Sequence, residues 1–395
     1  MSGASLEQPG PSSALLWVAP HAQGVHATRD LAEILKTYRR ANRLSQRQLA
    51  ALLYFDQSYV SLLERGLRKP GDRGTLAHIS RQLSIPGHVL GITEDDDGDF
   101  ATMVQFADSA IRLAEVARQT GRVTDAVNEL WPLVARLEGR VSEGRAEREV
   151  LVLLAHARMA LGLALGNVLP DERLSVAARW TGKALRLAGH LDDPALYART
   201  LRMHGNELRK ADRQAAAVAR LSHALTLVTD PVGRGETLVL LARAASEIGH
   251  ANLFDRAAEE CRRLLDSGGT YTSLFNSFSV REVILRGLTT TGRSEAAVAL
   301  ASGAGVAAPD AFVAPQWRVI EHVTIGHVLL AGGEPAGAAK VLGLAVSSAE
   351  THRLPHQVQR AIRIASTAHD NVASAVVEAG TAALERLRRT LALPP

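Results

Sequence analysis

Two groups of polar side chains in this 395-residue chain are spaced for recognition, and no group is spaced for catalysis. The first lies in SQRQLAALLYFDQSYVSLLERG, residues 45–66, where Gln57, Ser58, Ser61 and Leu62 fall on the outward side of a short helix. Its inward side is Val60 and Leu63. The outward set is mostly small or hydrogen-bonding. In the second group, Arg199, Arg202 and Asn206 share a helix face by i, i+3 and i+7 spacing, and Asn276 and Arg281 follow Tyr271 further on. Asn and Arg are suited to gripping peptide backbone and carboxylates, although solvated polar faces contain the same residue types. No Walker loop, GxSxG elbow or Rossmann fingerprint is present. Gly233-Arg234-Gly235 and Gly332-Gly333 read as turns between helices.

The histidines and the cysteine do not suggest a metal or other cofactor. His322 and His327 are five apart and miss a common helix face, while His352 and His356 straddle Pro355; there is no HExxH. Cys261 is the single cysteine, so no intramolecular disulfide forms, which fits a reducing compartment. It shares a helical stripe with Leu264 and Leu265 and reads as a core residue.

Charge separates the chain into unequal parts. The net charge is +4, yet residues 29–92 hold 11 Lys/Arg against 5 Asp/Glu, a surplus of +6, and the remainder sums to −2. A basic segment on a near-neutral body is the footprint of a nucleic-acid binder. Aromatics are 4% against 46% hydrophobic residues overall, a composition that favours helices packed through small residues.

The elements that must position these groups are helical throughout. Ser45 with Gln48 forms a capping box, and Leu49, Ala50 and Leu53 form the inner face of a first helix. A turn at Tyr54-Phe55 leads to Asp56, which caps the second helix, and Gly66 and Pro70 end it. Two short helices with Ala at their crossing make a helix-turn-helix. Residues 1–28, rich in Ser, Gly, Pro and Ala, read as a flexible leader without a secretory signal. Residues 93–99 read as an acidic linker whose Asp99 caps the next helix. Its alternating Asp95, Asp97 and Asp99 lack the Gly and Glu of a calcium loop, Phe100 and Phe106 standing there instead. From residue 100 to 395 helical periodicity recurs, broken near Gly121, Gly166, Ala211, Gly249, Gly292 and Gly333. In EIGHANLFDRAAEECRRLL, TTTGRSEAAVALASG and LLAGGEPAGAAKVLGLAV an apolar helix, a turn and an Ala-rich helix repeat. One such pair cannot bury its own apolar face, but stacked pairs can. The expectation is an all-α chain: a small DNA-binding domain at 29–92, then an α-solenoid at 100–395 whose first helices line a concave groove. No stretch approaches the ~20 apolar residues of a membrane span.

The segment resembles the lambda-repressor-like, or Xre-type, helix-turn-helix family through Ser45, Gln46, Leu49, Ala50, Leu53, Ser58, Tyr59, Val60, Ser61, Glu64, Arg65, Gly66 and Pro70. The likeness extends to Leu35, Arg39 and Leu83-Ser84-Ile85, which implies a five-helix domain. By that resemblance Gln46 holds a DNA phosphate, and Gln57 and Ser58 reach base edges in the major groove, with Ser61 facing the same way. Tyr59 meets a phosphate or the backbone, and Arg65, Arg68 and Lys69 lie against phosphates. Arg39 and Glu64 match a structural ion pair of the family. Two positions depart from it: Tyr54 stands where Gly is usual in the turn, and Asp56 where Ser or Thr often touches phosphate.

The solenoid resembles degenerate tetratricopeptide repeats, and the combination is similar in architecture to peptide-responsive quorum-sensing regulators of Gram-positive bacteria. The resemblance implies a cytoplasmic, non-enzymatic transcriptional regulator. It would be a homodimer on an inverted-repeat double-stranded operator, governed by a signalling peptide or small molecule at Arg199, Arg202, Asn206, Asn276 and Arg281. A helical-repeat scaffold with a minor or non-specific DNA anchor is the other reading of the same pattern.

Overall fold

The computed structural model describes residues 13–92, 97–268, 272–303, 313–368 and 371–390; among them are twenty α-helices and no strand. Two short helices, α1 (Ser13–Trp17) and α2 (Pro20–Thr28), precede α3 (Leu31–Ala41), α4 (Gln46–Leu52), α5 (Gln57–Glu64) and α6 (Arg73–Leu83). The fifth helix expected of the basic segment is a single 3-10 turn, Gly87–Leu90. Then come seven antiparallel pairs. They are α7 (Asp97–Gln119) with α8 (Val123–Ser142), α9 (Arg148–Val168) with α10 (Leu174–Ala188), and α11 (Pro194–Lys210) with α12 (Gln214–Leu227). There follow α13 (Pro231–Glu247) with α14 (Ala251–Asp266), α15 (Ser277–Thr290) with α16 (Ser294–Ser302), α17 (Pro315–Ala331) with α18 (Pro335–Thr351), and α19 (Pro355–Ala365) with α20 (Asn371–Thr390).

Local chemistry explains the punctuation. Proline opens α11 and α13, where its missing N–H costs nothing, and Asp193 and Asp230 cap those helices. Gly121, Gly249, Gly292 and Gly333 take left-handed backbone in the turns within pairs, and Asp212 does so between α11 and α12. The break expected near Gly166 falls just past it, at residues 169–173, and the glycine itself lies in the last turn of α9. Its role is close approach: a Cβ there would stand 1.8 Å from Glu207 Oε2 on α11. Helix α9 also corrects the membrane reading, for it is long and apolar enough to cross a bilayer, with a mean hydropathy of 1.6. It packs between α8 and α10 and is two-thirds buried, as a core helix is.

The N-terminal segment is not a leader over its described part. Trp17 is fully buried, and Ala14, Leu15 and Val18 join it in one continuous core that runs on to Trp180 in α10. Three indoles fasten this joint. Trp17 Nε1 donates to Leu83 O at 2.6 Å, Trp131 Nε1 to Ser84 O at 3.1 Å, and Trp180 Nε1 to Val18 O at 3.0 Å. Burial of four apolar side chains outweighs the local preference of Ser, Gly and Pro for irregular chain. Residues 1–12 and 93–96 lie outside the described residues. Residues 97–99 belong to the first turn of α7, so Asp99 does not occupy the cap expected of it.

The array of pairs bends round until its end meets its beginning. Gln359 on α19 accepts from Asp171 N at 2.7 Å and donates to Glu172 at 2.9 Å. Arg363 pairs with Asp171, and Arg388 on α20 pairs with Glu172 at 2.5 Å. His352, before α19, lies against Gly121 in the α7–α8 turn. The solenoid is thus closed on itself, with a central cavity of about 2130 Å³. All seven first helices, α7, α9, α11, α13, α15, α17 and α19, contribute to its wall.

Candidate nucleic-acid interface and central cavity

The turn between α4 and α5 forms as the residue pattern dictates. Ser45 Oγ accepts from Gln48 N at 3.2 Å, and Gln48 Oε1 accepts from Ser45 N at 2.8 Å. Leu49, Ala50, Leu53, Val60 and Leu63 are buried. Tyr54 adopts φ 54°, the left-handed conformation that favours glycine, and its side chain is 81% exposed. Tyr54 N donates to Ala51 O and Phe55 N to Ala50 O, so the last carbonyls of α4 are satisfied. His78 from α6 braces the turn: its Nε2 lies 2.9 Å from Leu53 O, and its ring packs against Phe55 and Tyr54.

Beneath the turn lies a polar lock. Glu64, 2% exposed, accepts from Arg39 Nε at 2.6 Å and Arg39 Nη2 at 3.1 Å, and from Gln46 Nε2 at 2.8 Å. Burial pushes the Glu64 carboxyl up, and the Arg39 and Gln46 hydrogen bonds with the Arg39 charge bring it below its usual value. One amide hydrogen of Gln46 is therefore committed inside the domain, and a phosphate contact must use the other.

The outward face of α5 holds the remaining expected residues. Gln57 and Ser58 are exposed at its start and Ser61 is half-buried one turn on. Asp56 caps the helix, accepting from Ser58 N at 2.7 Å. The Ser58 hydroxyl and amide hold the Asp56 carboxyl below its ordinary range, so it stays charged beside Gln57. Tyr59 stands edge-on to Phe55 at 5.2 Å, and the Arg68 guanidinium lies 4.9 Å from the centre of its ring. Arg65 and Lys69 are exposed, as are Arg40, Arg43 and Arg47. Arg65 closes the C-terminal end of α5 and Arg68 and Lys69 follow it, so these exposed cations belong to the same small domain as the polar helix start.

Residues 35–73 match the helix-turn-helix family model. This segment is a helix-turn-helix domain. The crystal structure of Bacillus thuringiensis PlcR with the peptide PapR7 and DNA is similar at 15% identity, covering 60% of this chain and 95% of that one, with a TM-score of 0.27. A circular tandem repeat protein with a novel repeat topology is similar at 15% identity, covering 96% and 93%, with a TM-score of 0.22. No curated protein sequence matches the chain. The assignment of the domain rests on its geometry and on the family match.

The cavity receives only part of the second recognition group. Arg199, Arg202 and Asn206 line it. Asn276 and Arg281 do not. Asn276 caps α15, its Oδ1 accepting from Ser279 N and its Nδ2 donating to Thr272 O. Arg281 is held by Glu321 at 3.5 Å and by the carbonyls of Leu300 and Ala301. Both are consumed in structure because Asn prefers a helix cap and Arg281 points away from the lumen wall. Tyr271 lies outside the described residues.

Further charged residues lie in the cavity wall or just behind it. Arg243 on α13 pairs with Glu282 on α15, which accepts also from Arg286 at 3.2 Å and Thr324 at 2.7 Å. Burial pushes the Glu282 carboxyl up, but Arg243, Arg286 and Arg360 overcome it and hold it at about 2. Glu247 takes Arg209 at 2.7 Å and Arg286 at 3.4 Å, and Glu207 takes Lys210 at 2.9 Å. These residues lie on five helices and are far apart in sequence. The available signal was the recurrence of Arg, Lys or Glu on α11, α13, α15 and α19.

Proposed function

We propose that the chain is a sequence-specific DNA-binding transcriptional regulator, acting in the cytoplasm as a homodimer on an inverted-repeat operator. The observation that carries this reading is the start of α5. Gln57 and Ser58 stand exposed there, with Arg65, Arg68 and Lys69 at and beyond the other end of the helix, whose inner face is locked by Val60, Leu63 and Glu64. Gln57 is suited to a bidentate contact with adenine, Ser58 and Ser61 to single hydrogen bonds, and the cations to phosphates. Gln46 and Tyr59 supply backbone contacts. Asp56, charged and next to Gln57, disfavours phosphate and favours a cytosine amino group. The central cavity takes a peptide or small-molecule effector, and Arg199, Arg202 and Asn206 are among the residues that meet it.

The joint between the domain and the solenoid supports a coupled regulator over a scaffold with an incidental DNA anchor. The helix-turn-helix shares its core with α8 and α10, so movement of the first two pairs moves the reading head. Selection from a random duplex pool at physiological salt tests the proposal. Half-sites about one helical turn apart, roughly 34 Å, support it. Salt-sensitive binding without a consensus, unchanged by Gln57→Ala with Ser58→Ala, overturns it in favour of the scaffold.

A further inference from the structure

The closed solenoid carries an excess of positive charge at one level of its lumen. Five cations face each other there, Arg209, Lys210, Arg243, Arg286 and Arg360, from α11, α13, α15 and α19. Three carboxylates answer them. Glu207 serves Lys210, Glu247 serves Arg209 and Arg286, and Glu282 serves Arg243 and Arg286. Arg360 is left over. Its Nη2 donates to the Thr324 hydroxyl at 2.9 Å, its Nη1 has no partner, and no carboxylate pairs with it among the described residues. The Nε atoms of Arg243 and Arg286, on side chains only 5% and 7% exposed, are also without partners.

The surroundings of Arg360 carry the same imbalance. Burial, Arg286 and Arg243 drive its pKa well down, and Glu282 and Glu247, which already serve other cations, offset them only in part. With Glu247 and Glu282 shared among Arg209, Arg243 and Arg286, Arg360 has no carboxylate of its own within ion-pair distance among the described residues. His327 on α17 is brought to about 4 by burial, Arg360 and Arg286, and His356 on α19 is lowered by burial, Lys210, Arg209 and Arg360. Both rings are therefore neutral and cannot add to the repulsion. Gln357, 5% exposed and one turn before Arg360, presents an Oε1 with no partner while its amide meets His356 at 2.7 Å. All of these side chains line the cavity except Glu207, Glu282 and Thr324.

We infer that this level of the lumen is an oxyanion receptor, with Arg360 as its anchor and Arg286 and Arg243 behind it, and that the effector carries a carboxylate or phosphate. The inference rests on the reading that the cavity takes an effector. A fork of two N–H groups suits either anion, and the low-dielectric wall strengthens the contact. A peptide's terminal carboxylate and a phosphorylated metabolite are the two sources of this chemistry.

The test uses the full-length protein without DNA. Wild type, Arg360→Gln, Arg360→Lys and the surface variant Arg262→Gln on α14, away from the cavity wall, are titrated calorimetrically at constant ionic strength. The probes are inorganic phosphate, a pool of free-acid heptapeptides, and the same pool amidated at its C-termini. We expect at least one anionic probe to bind wild type and Arg262→Gln equally, Arg360→Gln to lose at least tenfold in affinity, and Arg360→Lys to recover part of it. Free-acid peptides binding where amidated ones do not assigns the anion to a peptide terminus, and phosphate binding alone assigns it to a metabolite. Equal binding of an anion by wild type and Arg360→Gln, equal binding of both peptide pools without phosphate binding, or no binding by wild type overturns the inference. A folded Arg360→Lys with wild-type melting keeps the comparison valid should Arg360→Gln not fold. Because no readout involves an operator, failure of the DNA proposal and failure of this one remain separable.

Discussion

The indole of Trp17 donates to the carbonyl of Leu83 at 2.6 Å, joining α1 to the end of α6 across 66 residues of chain. Trp17 is fully buried, so truncation removes both a hydrogen bond and a large volume. Trp17→Ala should destabilise the protein by about 3–5 kcal/mol. Chemical denaturation checks this, and an effect below about 1 kcal/mol would mean that α1 is not docked as described. Because the core is continuous from Ala14 to Trp180, tryptophan fluorescence and circular dichroism should report one coincident transition for the N-terminal part.

Glu64 is the acceptor for both Arg39 and Gln46, and removing it leaves a partly buried guanidinium and an amide unpartnered. Glu64→Ala should cost about 3 kcal/mol, whereas Gln46→Ala should cost about 1 kcal/mol. Thermal melts of the two variants rank them, and the reverse order would contradict the lock.

Tyr54 holds left-handed backbone, which costs an L-residue roughly 1–2 kcal/mol, while glycine adds back about 0.5–1 kcal/mol of unfolded-chain entropy. Tyr54→Gly should therefore raise stability slightly, by up to about 1 kcal/mol. A clear fall in melting temperature would show that the packing of Tyr54 on His78 outweighs the strain.

His26, His204 and His327 are each lowered to about 4, in every case first by burial and then by neighbouring cationic or titrating groups. In the unfolded chain they titrate near 6.5. Between pH 6.5 and 4 the unfolded state binds more protons, so stability is full above 6.5 and is lost as pH falls through that window. Melting temperatures should drop steeply from pH 6.5 to 4.5, and His26→Leu should flatten part of the slope. A profile that is level over this range would contradict the buried neutral rings.

Replacing Arg65 and Lys69 by Gln should weaken DNA binding almost uniformly across sequences and reduce the salt slope by about one per phosphate contact. Gln57→Ala should instead cost about 1–3 kcal/mol on the preferred site and relax the choice of base. Competition binding at two salt concentrations separates the two, and identical behaviour of both variants would remove Gln57 from base reading.

What could be read from the chain was what the chain decides locally. The Ser45–Gln48 capping box and the Leu49, Leu53, Val60 and Leu63 spacing follow from neighbours within a few residues, and the structure holds them; the residues leave open the shape of the turn at Tyr54, which is left-handed. Residues 13–28 were misread because their Ser, Gly, Pro and Ala content hid the Leu15-Leu16-Trp17-Val18 run, whose helix is secured by distant Leu83 and Trp180. Asn276 was misread for the opposite reason, since a local cap consumed a residue credited to a distant ligand. Arg360 was missed because its significance lies in what four other helices fail to provide.

The contacts of Asp171 and Glu172 with Gln359, Arg363 and Arg388 have an evolutionary implication. An open stack can gain or lose a unit at either end and keep its joints. Here one more or one fewer pair would carry α19 past α9 or leave it short by the width of a helix, roughly 10 Å. A pair duplicated or deleted between α9 and α19 would therefore break this joint, whereas residue changes around the lumen leave it intact.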